Sequence, residues 1–129
     1  MKPSEPCPCG AARSFGRCCA PLLAGAPAPD AEALMRSRYT AYVLGDEAYL
    51  LATWHPDTRP QRLDLATDPV RWLGLKVLEH RRIDGDSAEV AFVARYRAGG
   101  RGHRMGERSR FVREQGRWFY VDGDVQEVS

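Results

Sequence analysis

LKVLEHRRIDGDSAEVAFVARY, residues 75–96, largely alternates apolar and polar side chains on both sides of Asp84-Gly85-Asp86. A period of two is typical of half-buried β-strands, and an Asp-Gly pair between two such runs indicates a hairpin turn. The stretch therefore predicts one strand over residues 75–83 and a second, antiparallel strand over residues 88–96.

The strand pattern continues towards the C-terminus. The glycine-rich residues 98–102 predict a loose turn, and residues 106–114 predict a third long strand. Gln115-Gly116 then predicts a turn into a fourth strand over residues 117–121. Four strands in succession, joined by short turns, indicate an antiparallel meander.

Helical spacing precedes the sheet. Apolar residues recur at helical intervals over residues 31–44, with Asp30 as the N-cap and Gly45 as the stop signal. A second helix is predicted over residues 47–54, where His55-Pro56 ends it. These two segments supply apolar faces that can cover one side of the sheet.

A third, short helical segment is predicted around residues 70–73, because Asp68-Pro69 places a proline where the first helical residue would lie. Helices followed by a meander indicate the α+β class. We expect the helices to pack on one face of a curved antiparallel sheet.

All four cysteines lie in the first twenty residues, at Cys7, Cys9, Cys18 and Cys19. A bond between Cys18 and Cys19 would close a strained vicinal ring, and one between Cys7 and Cys9 would need a cramped loop. Secreted scaffolds also spread their disulfides through the fold. Four thiolates around one Zn²⁺, at roughly 2.3 Å each, suit the segment best. Iron is the main rival, and the sequence does not separate the two metals. A site closed by four thiolates is structural and leaves no position for hydrolysis.

The chain divides at a short segment without charge, residues 22–29, which contains two prolines. It is too short and too apolar for a free linker, so we expect it to lie across the main domain. The predicted units are a metal-binding knuckle, residues 1–24, and an α+β domain, residues 25–129. We expect metal removal to unfold the knuckle and to leave the larger domain folded.

Composition limits the classes of function. The 129 residues can bury one modest core, and no apolar run approaches the length of a membrane span. No apolar stretch precedes the cysteines, so we expect no secretory signal, and reduced thiols then point to the cytoplasm. The formal charge of +2 falls to about zero with four thiolates and one zinc ion. Direct nucleic-acid binding and membrane association are therefore not expected.

Two sets of residues carry a resemblance to known families. Cys7-Pro8-Cys9-Gly10 and Arg17-Cys18-Cys19 resemble the SEC-C metal-binding motif, named for its place at the C-terminus of the SecA translocation motor. Residues 33–42, 53–56, 72–75, 107–111 and 116–123 resemble the bacterial YchJ family. The resemblance implies a SEC-C knuckle followed by one cystatin-like, or nuclear-transport-factor-2-like (NTF2-like), cone. It assigns no biochemical role.

The first functional hypothesis follows from the SEC-C resemblance, because that motif in SecA supports chaperone and ribosome contacts. It implies an interaction module that meets a protein or ribosomal partner through the knuckle. Arg13, Phe15 and Arg17 are the predicted contact residues.

The second hypothesis makes the cone a binding site, or an enzyme site, for a small anionic molecule. Arginine is abundant on the strands, and a guanidinium inside the cone could grip a carboxylate or phosphate. The alternative is that Glu107 and Asp122 pair with arginines at the sheet edge. Aromatic and basic residues are the predicted pocket lining: Tyr39, Tyr42, Trp54, His55, Arg108, Arg110, Trp118 and Tyr120.

The sequence offers fewer indications of catalysis than of binding. His55 follows Trp54 at a predicted helix end, where a structural cap is favoured over a catalytic base. No histidine has triad-like spacing to an acid and a nucleophile, so no catalytic residue is predicted. The sequence thus favours a binding protein over an enzyme.

Overall fold

The computed structural model describes residues 1–63, 65 and 70–128 and has the α+β fold that the sequence predicts. A 3₁₀ turn over Phe15–Arg17 follows the first cysteines. The remaining elements, in chain order, are α1 (Ala20–Leu23), α2 (Ala31–Leu44), α3 (Glu47–Ala52), β1 (Arg71–Asp84), β2 (Ser87–Ala98), β3 (Arg101–Glu114) and β4 (Arg117–Val128). None of the described helices is both long and apolar enough to cross a membrane.

Helix α2 begins and ends where the sequence predicts. The Asp30 carboxylate accepts a hydrogen bond from the Ala33 N–H at 2.8 Å, so it satisfies a free donor of the first turn. Gly45 ends the helix in the left-handed region, with φ 72°, which a residue without Cβ adopts at little cost. The face that carries Leu34 and Met35 is buried against the sheet.

Helix α3 ends at Ala52, two residues before the predicted end. The chain leaves the helix because it pairs with β4: Tyr120 N–H donates to the Thr53 carbonyl at 2.9 Å, and His55 N–H donates to the Tyr120 carbonyl at 2.8 Å. This short parallel bridge fixes Trp54 at the edge of the sheet.

The sheet is an antiparallel meander of order β1-β2-β3-β4. Its last two strands are longer than predicted. Strand β3 begins at Arg101, opposite Ala98, and β4 continues to Val128, opposite Arg104. The sequence pattern missed these ends because residues 101, 102 and 104 of β3 and residues 122 and 124–126 of β4 are exposed.

The predicted helical segment at residues 70–73 is wrong over residues 71–73, which begin strand β1. Trp72 pairs with Tyr96 of β2, and its ring lies 5.7 Å from the ring of Tyr39 on α2. Burial of this large aromatic side chain between sheet and helix outweighs the local preference for a helical turn. Asp68-Pro69, the predicted helix start, lies outside the described residues.

One hydrophobic core joins the helices, the sheet and three of the cysteines. Leu34 and Tyr39 of α2 pack with Val90 of β2 and Phe111 of β3, and Cys7, Cys9 and Cys19 belong to the same cluster. Burying an aliphatic or aromatic side chain contributes about 1.5–3 kcal/mol. The first twenty residues are therefore held against the main domain by packing.

Polar contacts also fix the knuckle and the segment that follows it. Arg36 on α2 donates to the Cys9 carbonyl at 2.7 Å. Gly10 lies so close to β1 that a Cβ there would come within 3.1 Å of the Leu75 carbonyl oxygen. In the following segment, the Gly25 carbonyl accepts a hydrogen bond from Arg117 at 3.3 Å. The segment thus lies on the main domain as predicted, whereas the boundary between residues 24 and 25 stays a prediction.

Candidate functional site

The four cysteines form a compact cluster of sulfur atoms, all within 4.8 Å of one another. The Cys9 and Cys18 sulfurs are 3.5 Å apart, and those of Cys18 and Cys19 are 4.0 Å apart. Four thiolates at 2.3 Å from a tetrahedral centre lie about 3.8 Å from each other. All four are free cysteines, so this donor set could hold one metal ion.

The backbone of the knuckle places the thiols in two pairs. A bridge between Pro6 and Ser14 and a hydrogen bond from Cys7 N–H to the Arg13 carbonyl, at 2.9 Å, close the loop that carries the first pair. The 3₁₀ turn then brings Cys18 to the start of α1, with its N–H donating to the Phe15 carbonyl at 3.1 Å. Short-range hydrogen bonds thus bring two distant pairs of ligands together.

A threonine of the main domain contacts the cluster. Thr40 on α2 is fully buried, and its hydroxyl donates to the Cys19 sulfur at 3.4 Å and lies 3.8 Å from the Cys7 sulfur. Hydrogen bonds of this kind orient metal ligands and tune their affinity. Thr40 is not among the residues predicted from the sequence, since nothing in the helical pattern marks which residue faces the cysteines.

The metal-free thiols differ widely in acidity. A hydrogen bond from Cys19 lowers the pKa of Cys9 to about 5, whereas burial raises the pKa of Cys18 to about 11. The hydrogen bond to Cys9 also raises the pKa of Cys19. Cys18 and Cys19 are therefore protonated at neutral pH without a metal. A cation that binds all four sulfurs must displace these protons.

The predicted contact residues of the knuckle are not equivalent. Arg13 and Arg17 are exposed. Phe15 is half-buried and packs against the hydrophobic core, so its ring supports the fold. An external partner therefore meets the two arginines more readily than the phenylalanine.

A second candidate site is a cavity of about 250 Å³ between α2 and the helix-facing side of the sheet. Four of the predicted pocket residues line it: Tyr39, Tyr42, Trp54 and Tyr120. Trp72, Phe92 and Phe111 complete a largely aromatic wall. The cone is thus hollow.

Both arginines of the predicted pocket lie on the opposite face of the sheet. Arg108 donates to Glu79 at 2.8 Å and to Glu89 at 3.3 Å. Arg110 pairs with Asp122 at 2.5 Å and with a second aspartate. Alternation along β3 directs both guanidinium groups outwards, so their role in the cavity is corrected, and the predicted pairing of Asp122 with an arginine is confirmed.

His55 and Trp118 also lie outside the cavity. The His55 Nδ1 accepts the Asp57 N–H at 3.1 Å, so Nε2 carries the proton and donates to Glu114 at 3.0 Å. His55 is therefore not the helix cap that the sequence predicted, because α3 ends at Ala52 and the imidazole instead contacts the Asp57 N–H and Glu114. Trp118 is buried beneath two arginine side chains, Arg82 and Arg113, whose guanidinium carbons lie 5.6 and 5.7 Å from its ring.

The arginine inside the cavity is Arg38, on α2. Its side chain is 5% exposed, and its Nη1 donates to the Leu50 carbonyl at 2.8 Å and to Thr53 Oγ1 at 2.6 Å. The guanidinium carbon lies 4.6 Å from the ring centre of Tyr120 and 5.1 Å from that of Trp54. Burial lowers the pKa of Arg38. The sequence carried a signal, because Arg38 lies four residues after Leu34, on the apolar face of the helix.

Glu107 faces the same cavity, which corrects its predicted pairing with an arginine at the sheet edge. Its carboxylate accepts hydrogen bonds from the Ser109 hydroxyl and, at 3.2 Å, from the Tyr120 hydroxyl. Gly123, which pairs with Ser109 across the sheet, makes room for it, because a Cβ on Gly123 would collide with the carboxylate. Burial, followed by the negative charge of Glu107, raises the pKa of Tyr120.

One buried donor, on the lining residue Trp54, has no acceptor among the described residues. The indole Nε1 of Trp54 is buried and makes no hydrogen bond within the described part of the chain. An unsatisfied buried donor costs about 1–3 kcal/mol and often marks the place of a bound molecule or water. The residues that line the cavity thus include aromatic rings, a buried cation and a carboxylate.

Comparison with known proteins gives two family matches, one to each end of the chain. Residues 4–21 match the SEC-C motif, and residues 30–123 match the middle NTF2-like domain of YchJ. A UPF0225 protein of Methylibium petroleiphilum is 56% identical over 93% of this chain and 88% of its own length. A UPF0225 protein of Bordetella pertussis is 53% identical over 96% of this chain and 97% of its own length.

Two solved structures share the whole arrangement. The solution structure of a SEC-C motif-containing protein from Rhodopseudomonas palustris matches with a TM-score of 0.84 and 37% identity, over 92% of this chain and 96% of that one. The crystal structure of a SEC-C motif-containing protein from Psychrobacter arcticus matches with a TM-score of 0.79 and 26% identity, over 100% of this chain and 88% of that one.

Proposed function

The chain belongs to the YchJ family of UPF0225 proteins, in which a SEC-C motif precedes an NTF2-like domain, and from this premise we propose that it binds a small molecule in the cavity of that domain. The cavity is the observation that carries the proposal. Its walls combine apolar rings with a few convergent polar groups, as ligand sites usually do.

Two buried alanines on β2 allow a direct test. Ala94 is 1% exposed and lines the cavity, whereas Ala88 is 2% exposed and belongs to the filled core. The three extra carbon atoms of leucine should enter the cavity in Ala94→Leu with little loss of stability. In Ala88→Leu they have no space, and overpacking should destabilise the protein by about 1–3 kcal/mol.

Binding is measured with a fragment library of small acids, alcohols and amines by ligand-observed NMR. We expect a set of fragments that bind the natural protein, compete with each other and are lost in Ala94→Leu. Thermal unfolding of both variants shows whether each is folded. Equal destabilisation by the two leucines, or fragment binding that survives Ala94→Leu, would contradict the proposal.

A metal-stabilised knuckle that contacts a partner is a second candidate function. Zn²⁺ is the proposed ion, because four thiolates without an open position suit structural zinc, and iron is the alternative. Elemental analysis of the purified protein distinguishes them, with one equivalent of zinc expected. Four unpaired thiols also favour a reducing compartment, and we propose the cytoplasm.

The exposed arginines of the knuckle favour an acidic protein surface or a ribosomal site as the partner. Arg13→Glu with Arg17→Glu reverses both charges, and Arg101→Glu with Arg104→Glu makes the same change in an exposed part of the sheet. Capture from a cell extract should lose a defined partner with the first pair alone. Identical recovery with both pairs would exclude this role.

A further inference from the structure

We infer, on the basis of the proposed cavity function, that the ligand is a small aromatic carboxylic acid with a hydrogen-bond donor at its far end, and that Glu107 selects this donor. One buried cation, one carboxylate and the Tyr120 ring that contacts both define this ligand.

Arg38 supplies the site for the acid group. Both hydrogen bonds that its guanidinium makes to the described chain come from Nη1, to Leu50 and Thr53, and it forms no ion pair with a described carboxylate. Two aromatic rings and, at longer range, Glu107 attract the guanidinium, but no described carboxylate lies within ion-pair distance of it, so an anion in the cavity is favoured. The edge formed by Nε and Nη2 matches the two oxygens of a carboxylate.

The walls and the volume define the body of the ligand. Aromatic side chains surround the space, and offset or edge-on contacts with them favour a planar ring. At about 250 Å³ the cavity is slightly smaller than pockets that hold drug-sized molecules. One ring with a short side chain is the body that this space admits.

Glu107 defines the far end. Tyr120 lies between the two charges: its ring centre is 4.6 Å from the Arg38 guanidinium carbon, and its hydroxyl donates to Glu107 at 3.2 Å. The acid and the donor of the ligand should therefore lie at opposite ends of a body made of one ring and a short side chain. A carboxylate accepts hydrogen bonds and repels other anions, so Glu107 favours a hydroxyl and disfavours a second acid group.

Three probes separate these requirements. We expect 3-(4-hydroxyphenyl)propionate to bind about 10- to 100-fold more tightly than 3-phenylpropionate, because only the first can donate to Glu107. The neutral 2-(4-hydroxyphenyl)ethanol keeps the donor and lacks the acid, so it should bind at least about tenfold more weakly than the hydroxylated acid. Calorimetric titration gives all three affinities.

Glu107→Gln is the matched variant, because it removes the charge and keeps the shape. The affinity for 3-(4-hydroxyphenyl)propionate should fall, while the affinity for 3-phenylpropionate should rise as the repulsion of its acid group is lost. A purely structural role of Glu107 would move both affinities in the same direction. Glu79→Gln, on the outer face of the sheet, should change neither.

The outcomes separate this inference from the proposed function. The inference is overturned if the two acids bind equally, or if the alcohol binds as tightly as the hydroxylated acid. The cavity remains a ligand site in either case if Ala94→Leu abolishes the binding. No binding of any probe at millimolar concentration also overturns the inference, whereas fragments of other chemistry would still support the proposed function. If Glu107→Gln changes the affinities for both acids in the same direction, Glu107 does not select the hydrogen-bond donor of the ligand.

Discussion

Thr40→Val tests whether the main domain tunes the metal affinity of the knuckle. Thr40 is fully buried on α2, and its hydroxyl donates to the Cys19 sulfur at 3.4 Å. Valine has nearly the same shape without the hydroxyl, and no described hydrogen bond of Thr40 other than those to sulfur is lost. The variant therefore removes one defined contact to a metal ligand.

The expected magnitude follows from the charge of the sulfur in each state. With a metal bound, the hydroxyl donates to a thiolate, and a hydrogen bond to a charged group contributes about 1.5–3 kcal/mol. Without a metal, Cys19 is protonated because its pKa is raised, and a neutral hydrogen bond contributes about 0.5–1.5 kcal/mol. The difference, about 1–1.5 kcal/mol, corresponds to roughly tenfold weaker binding of Zn²⁺ in Thr40→Val.

Competition with a chelating indicator measures this affinity. Ser37→Ala is the matched control, because Ser37 is fully buried on the same helix and its hydroxyl contacts the Leu34 carbonyl and Tyr49 in place of a sulfur. It should lower the melting temperature and leave zinc affinity unchanged. If Thr40→Val binds zinc as tightly as the natural protein, or if both variants weaken binding equally, the hydroxyl does not tune the site.

Three further predictions concern the cavity and the knuckle. Gly123→Ala should displace Glu107 and reduce the preference for the hydroxylated acid at least about threefold in calorimetric titration. Gly102→Ala is the control, because a Cβ at Gly102 would meet open space and should leave this preference unchanged. Equal effects of the two substitutions would contradict this geometry. Zinc binding should release the protons of Cys18 and Cys19, so affinity should fall as pH decreases, and calorimetric heats should depend on the buffer; heats independent of the buffer would refute it. Chelation should make four thiols reactive while the β-sheet circular dichroism and its thermal transition persist, although Cys7, Cys9 and Cys19 pack in the same core as the sheet; melting of the whole chain would show that the main domain depends on the metal.

The sequence predicted the fold correctly where local signals alone determine the ends of an element. Asp30 and Gly45 set the ends of α2 through a side-chain cap and a left-handed residue, and neither needs the rest of the chain. The start of β1 was not readable, because Trp72 belongs to the sheet only once Tyr39 and Tyr96 lie beside it. Tertiary packing there overrides the helical signal of the preceding proline.

The candidate sites were readable to a different degree. The metal cluster follows from the identity and spacing of its residues, since few other arrangements suit four adjacent thiols. In the cavity, four of the aromatic lining residues were predicted, whereas the other three and both charges were missed. Arg38 lies on the apolar face of a helix, and Glu107 shares a strand face with Phe111. The helical period of 3.6 and the strand period of two therefore each direct a charged residue towards the core. Thr40 carried no such signal.

The pairing of Thr53 and His55 with Tyr120 has a consequence for the order of folding. Each strand of the sheet pairs with its neighbour in sequence, so the hairpins can form early, at a small entropic cost of loop closure. The contact with Tyr120 joins segments far apart in the chain and should form late. The cavity wall at Trp54 and Tyr120 is then completed only in this last step. A ligand in the cavity should therefore slow unfolding far more than it accelerates folding.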